Sequence, residues 1–154
     1  MNYLQKLEKH LESNHLKMTD QRRVILETFE SIDHHVSLEE LLVSVQQRKS
    51  GVGLATIYRT MKLFVAAGIV EEHRFDDGIT RYELAKEGEH HDHLICLQCG
   101  KIIEFEDEVI EQQQNAIAKR FGMRITNHKM ELYGRCIDQK ACLVHKRKTG
   151  YDVS

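Results

Sequence analysis

Ten consecutive residues, His90-His91-Asp92-His93-Leu94-Ile95-Cys96-Leu97-Gln98-Cys99, carry six side chains able to bind a metal ion. Imidazoles and a carboxylate come first and a soft thiolate pair follows. Placing so many ionisable groups together in a globular chain is costly unless a cation compensates them. If the stretch is extended, successive side chains point to opposite faces. His91 and His93 then share one face, His90 and Asp92 share the other, and Cys96 opens a further site. One short strand would serve separate metal centres, which constrains the fold around it.

A chain of 154 residues can form one ordinary domain or two small ones. Its 22 Lys and Arg against 24 Asp and Glu leave a slightly acidic balance, so any nucleic-acid surface must be a local patch. No apolar run is long enough to span a bilayer, and Met1–Lys6 is charged and amphipathic with no signal-peptide core. A cytoplasmic location without membrane attachment is the expectation. In a reducing compartment the four cysteines read as thiolate ligands instead of disulfides.

The N-terminal half reads as helices. Leu4, Leu7 and Leu11 recur at helical spacing over residues 3–13, and Thr19 can N-cap a second helix bearing Val24, Ile25, Leu26, Phe29 and Ile32. Ser37-Leu38-Glu39-Glu40 is a capping-box pattern opening a third helix. Gly51-Val52-Gly53 breaks the chain before a fourth helix from about Leu54 to Ala67. Two β-like runs, 69–75 and 80–84, flank Asp76-Asp77-Gly78, a hairpin signal. Short helices ending in a hairpin have the order of a winged helix-turn-helix. The predicted division is a winged-helix DNA-binding domain over residues 1–86 and a second domain over 90–154, with a polar hinge at about 86–89. In the second domain, strands are expected at 94–97, 101–105 and 123–134, with a helix capped by Asp107 and stopped at Gly122, and a short helix near the C-terminus.

On the fourth helix, Tyr58 and Lys62 share an exposed face with Arg59 alongside. Arg and Lys can meet phosphates, and a Tyr ring can pack on a thymine methyl. Lys17, Arg22 and Arg23 add positive charge near the second helix. A solvated charged face is the bland alternative, but the following hairpin favours DNA contact.

Cys96-x-x-Cys99-Gly100 fits a zinc knuckle, because a two-residue gap lets both sulfurs reach one tetrahedral ion. Cys136 and Cys142 are the remaining thiols, and five residues separate them. On the His91/His93 face, Glu83, His34, His35 and Glu104 are candidate partners. On the other, Glu111 and His128 could join His90 and Asp92. Such N/O sets suit Fe(II), Mn, Co, Ni or Zn and do not name the ion. A catalytic metal in a hydrolase would need an open coordination position and a general base, and nothing in the chain marks a substrate pocket.

These residues resemble the ferric uptake regulator family. The match runs through Gly53-Leu54-Ala55-Thr56-Ile57-Tyr58-Arg59, His90-His91-Asp92-His93-Leu94-Ile95-Cys96-x-x-Cys99-Gly100-Lys101-Ile102-Ile103-Glu104-Phe105, Asp33-His34-His35-Val36-Ser37, Thr126-Asn127-His128 and Leu132-Tyr133-Gly134-x-Cys136. The resemblance implies an α+β chain with an N-terminal winged helix-turn-helix domain and a C-terminal α/β dimerisation domain built on a short antiparallel sheet. It implies a repressor of iron-uptake genes that binds operator DNA as a homodimer or higher oligomer, with Fe(II) as co-repressor and Mn(II), Co(II) or Zn(II) as substitutes. By position, a regulatory site would fall on His35, Glu83, His91, His93 and Glu104, and a second site on His90, Asp92, Glu111 and His128. Structural Zn(II) would fall on Cys96, Cys99, Cys136 and a fourth cysteine. Many members have a second Cys-x-x-Cys, but position 139 here is Gln139, which leaves Cys142 as the candidate. Lys17, Arg22, Thr56, Tyr58, Arg59 and Lys62 form the implied DNA-binding set. Alternatives are a peroxide-, zinc- or manganese-responsive member of the family and, outside it, a constitutive zinc-stapled DNA-binding module.

Overall fold

The structure, a computed structural model, describes residues 1–151. The chain divides into two compact units, the first spanning Met1–Glu87 and the second beginning at Gly88.

The first unit contains α1 (Tyr3–Ser13), α2 (Asp20–Glu30), α3 (Leu38–Arg48), α4 (Leu54–Ala66), β1 (Val70–Arg74) and β2 (Thr80–Leu84). Local signals set the helix starts. Thr19 Oγ1 accepts from Arg22 N at 3.2 Å to cap α2. Ser37 and Glu40 close a reciprocal capping box on α3, at 3.2 and 2.7 Å. Asn2 and Gln5 form another on α1 that the periodicity of leucines does not reveal. The apolar stripes meet in one core containing Leu7, Leu11, Ile25, Leu26, Phe29, Leu41, Val45, Ile57, Met61 and Phe64. Burying each large side chain of this kind contributes roughly 1.5–3 kcal/mol.

β1 and β2 pair antiparallel from Val70↔Leu84 to Arg74↔Thr80, so the connecting loop is Phe75–Ile79, one residue longer than the gap between the expected runs because Phe75 lies outside β1. Asp77 organises that loop. Its carboxylate accepts from Ile79 N at 3.0 Å and pairs with Arg81 at 2.7 Å, both side chains being almost wholly buried. An isolated bridge Val36↔Tyr82 adds a third segment to the hairpin. Val70 and Tyr82 enter the helical core, with Leu84 against it. Strand alternation therefore turns Glu71, His73 and Glu83 to the opposite face, and the Val36↔Tyr82 bridge sets His35 beside Glu83.

The second unit contains β3 (Asp92–Cys96), β4 (Ile102–Phe105), α5 (Glu108–Arg120), β5 (Glu131–Gly134) and α6 (Gln139–Thr149). The sheet order is β4-β3-β5. β3 and β4 form the expected antiparallel pair, Asp92↔Phe105 to Ile95↔Ile102. β5 joins the other edge of β3 in parallel, His93↔Glu131 to Cys96↔Gly134, so the sheet is mixed. A parallel partner needs a crossover connection, and α5 supplies it. The strand expected over 123–134 forms only at Glu131–Gly134, because only those residues find a ladder partner on β3. β3 begins at Asp92, earlier than expected, and so includes Asp92 and His93.

No residue of α5 is buried, and Val109, Ile117 and Phe121 are exposed. On the sheet, Ile103, Leu94 and Leu132 form one cross-strand row, also exposed. The buried apolar residues of this unit are Ile95, Cys96, Cys99, Cys142 and Tyr151 among those described.

Candidate metal centres and nucleic-acid surface

Cys96 lies at the end of β3, Cys99 in the turn toward β4, Cys136 after β5 and Cys142 on α6. Asp138 starts α6 by accepting from Lys140 N and Ala141 N, which brings Cys142 round to the knuckle. The four sulfurs lie within 4.8 Å of one another, with Cys96–Cys142 at 3.9 Å and Cys99–Cys136 at 3.8 Å. All four are free thiols. A tetrahedral ion with Zn–S bonds of about 2.3 Å separates its sulfurs by about 3.8 Å, so this donor set fits zinc. Burial works against charge at Cys96, but backbone N–H groups of Cys99, Gln98 and Cys136 converge on its sulfur and hold its pKa down to about 6. Burial and the neighbouring thiols push Cys136 up to about 12. Cys96 is thus ready to enter a site as thiolate.

A second group lies wholly within the second unit. His90 Nε2 and His128 Nε2 approach to 2.8 Å, and His128 lies 3.4 Å from Asp92 Oδ1 and 3.2 Å from Glu111 Oε1. Asp92 Oδ1 and Glu111 Oε1 are buried without a hydrogen-bond partner. Two buried carboxylate oxygens aimed at two imidazole nitrogens, all four ligand atoms within 4.8 Å, make a cage suited to a divalent cation. His128 lies outside regular strand, and Glu111 is on the first turn of α5.

On the opposite side of the His-rich segment, His91 Nε2 is 3.7 Å from Glu104 Oε1, and the His91 and His93 rings are 5.0 Å apart. Glu104 is the register partner of His93. In the first unit, His35 Nε2 lies 3.3 Å from Glu83 Oε2, both side chains buried. Glu83 has a further contact that no motif announces: His73 Nε2 stands 2.7 Å from its Oε1. Glu71 is directly across from Glu83 and 3.7 Å from His73. Alternation along β1 was the available signal, since Glu71 and His73 share a face.

Among the residues expected to meet DNA, Tyr58 and Arg59 are exposed on α4. Lys62 Nζ is 2.6 Å from Glu72 and 5.6 Å from the Tyr58 ring centroid. Arg59 reaches Thr56 Oγ1 at 3.5 Å. Lys17 is exposed in the loop before α2, whereas Arg22 donates to the Lys17 carbonyl and braces that loop. Gly53 caps α4 without a side-chain hydrogen bond, and Thr56 N donates to the Gly53 carbonyl at 3.1 Å. No helix among the described residues is long and apolar enough to cross a membrane.

Residues 13–133 match the model of the ferric uptake regulator family. The ferric uptake regulation protein of Escherichia coli K12 is 48% identical over 124 residues, covering 80% of this chain and 83% of that protein. Among solved structures, the Helicobacter pylori ferric uptake regulator, described as having three functional metal binding sites, superposes with a TM-score of 0.82 at 32% identity. That match covers 90% of this chain and 91% of the other. A zinc-bound manganese uptake regulator superposes at 0.72 with 42% identity, covering 86% and 99%. With the family model matched over residues 13–133 and these relatives alike over most of the sequence, the chain belongs to the ferric uptake regulator family.

Proposed function

We propose that this protein is a cytoplasmic, metal-dependent transcriptional repressor that binds operator DNA of iron-uptake genes as a homodimer when loaded with Fe(II). The observation that carries the reading is the buried His35–Glu83 pair. It supports the reading because an imidazole and a carboxylate that could share an ion lie together inside the unit that bears α4. His35 and Glu83, with His91, His93 and Glu104, would hold the effector ion. His90, Asp92, Glu111 and His128 would hold a second, and the four cysteines structural zinc. A divalent cation supplies bonds to several N and O donors at once and neutralises clustered carboxylates. With ligands drawn from residues 1–86 and from 90–154, metal loading would couple DNA contact to dimerisation.

Tyr58 and Arg59 would meet base edges and backbone, Lys62 and Lys17 the phosphates, and Arg22 would hold the Lys17 loop in place. Self-association is supported by the exposed aliphatic row Ile103, Leu94 and Leu132 with the uncovered α5 side chains. No enzyme activity is part of this reading, because the five-donor and four-donor sets have enough protein donors to hold their ions without a substrate position. The 42% identity with a manganese uptake regulator favours one second reading, a manganese-responsive repressor.

A hundredfold metal-induced gain in operator affinity corresponds to a coupling of about 2.7 kcal/mol. Fluorescence titration of a palindromic operator with Fe(II), Mn(II), Co(II), Zn(II) and chelator tests the proposal. Fe(II) should tighten binding strongly, and His91→Ala should abolish most of that gain. Equal affinity with and without metal would sink it, while a response confined to Mn(II) would select the second reading.

A further inference from the structure

We propose that the hairpin carries a cation position of its own, formed by Glu71, His73 and Glu83. It rests on the preceding reading only in treating Glu83 as a ligand shared with His35.

Register supplies the first argument. Glu71 and Glu83 are directly opposite on paired strands, and His73 lies two residues from Glu71 on the same face. Like charges directly opposite each other destabilise a strand pair. A positive charge between them removes that penalty. His73 Nε2 lies 2.7 Å from Glu83 Oε1 and 3.7 Å from Glu71 Oε2, separations within the reach of one ion with bonds of about 2.0–2.2 Å.

The second argument comes from how Glu83 is divided. Its Oε1 faces His73 Nε2 at 2.7 Å, and its Oε2 faces His35 Nε2 at 3.3 Å. Each oxygen of one buried carboxylate is met by a different imidazole, the arrangement of a carboxylate that can serve two cations. The His73 ring is also held in place. It stacks on Phe75 with centroids 5.8 Å apart and planes 6° from parallel, and meets the His35 ring edge-on at 5.4 Å. An imidazole fixed by packing is a pre-organised ligand.

Charge and exposure define the ligand. One nitrogen and two carboxylates suit Mn(II), Fe(II), Co(II) or Zn(II). Glu71 is half exposed while His73 and Glu83 are largely covered, so an ion would enter from the Glu71 side and keep water in its remaining positions. With three protein donors it would bind more weakly than a five-donor set. It would therefore fill at higher metal concentration.

The test uses the full-length protein with its thiolate zinc intact. In a His90→Ala, His91→Ala, His93→Ala, His128→Ala background, which removes the imidazole donors of both N/O sets in the second unit, Mn(II) is titrated and the free ion followed by electron paramagnetic resonance. One Mn(II) per chain should remain, bound roughly tenfold or more weakly after Glu71→Gln or His73→Gln, a loss of the size ligand-shell changes cause. His35→Ala in the same background should leave it nearly unchanged. Absence of that ion in a protein folded by circular dichroism would overturn the proposal. So would a retained ion indifferent to Glu71→Gln and His73→Gln. A second measurement needs no altered background: Glu71→Gln alone should weaken the last Mn(II) to bind per chain roughly tenfold or more, and an unchanged binding isotherm also counts against the site. Failure of the repressor reading is distinguishable, because it shows as metal-insensitive operator binding, not as a change in Mn(II) affinity at the hairpin.

Discussion

Lys62 is held 2.6 Å from Glu72, so the cation that α4 would offer to a phosphate in the proposed DNA contact is already shared with a carboxylate on β1. Glu72 itself is the register partner of Tyr82 and also lies 3.5 Å from Arg74. Replacing Glu72 with Gln should free Lys62 and strengthen operator binding several-fold, with a salt slope steeper by about one phosphate contact. Titrating binding against NaCl checks this, and an unchanged slope would mean that Lys62 stays off the DNA. The same pair has a pH signature. The hydrogen bond from Lys62 holds the Glu72 carboxyl below its ordinary 4.5 despite partial burial. A carboxyl with a lowered folded pKa contributes stability above its ordinary value and loses it as pH falls through the lowered one. Glu72→Gln should therefore flatten the acid limb of a thermal-unfolding profile. Tyr58, Arg59 and Lys62 could be read from helical spacing, but Glu72 could not, since its meeting with Lys62 depends on how the hairpin packs on α4.

At the level of elements, the zinc knuckle shows the same division. Cys96-x-x-Cys99-Gly100 is visible as a motif, and the structure supplies the reason for the glycine. Gly100 has φ +71° and donates to the Cys96 carbonyl at 2.8 Å, closing the turn. A Cβ there would stand 2.2 Å from the Tyr151 ring. Gly100→Ala should cost about 1–3 kcal/mol in backbone strain alone and loosen the thiolate cluster further by displacing Tyr151. Zinc release to a chromogenic chelator should accelerate and the melting temperature fall. Retention of wild-type release kinetics would show the ring to be freely movable. The helices were legible because capping residues and apolar periodicity are local. The extent of β5 was not, because the alternation across 123–134 continues well beyond the four residues that find a partner on β3.

The whole molecule is uneven in how it buries apolar surface. The first unit has a continuous helical core, whereas the second leaves Leu94, Ile103, Leu132, Val109, Ile117 and Phe121 exposed. Surfaces of this kind mark association. Phe121→Asp combined with Leu132→Asp should shift the protein to monomer in sedimentation equilibrium at micromolar concentration, with circular dichroism preserved and operator affinity greatly reduced. A dimer that persists would place the interface elsewhere. Taken alone, the sequence determined the helix order, the hairpin, the metal-ligating residue types and the separation of His91/His93 from His90/Asp92, all consequences of spacing along one segment. Only tertiary structure decided that Cys142 joins Cys96, Cys99 and Cys136, that β5 runs parallel to β3, and that His73 shares Glu83 with His35. Each of those depends on a contact between residues distant in the chain, and spacing carries no information about such contacts until strands find register and helices dock.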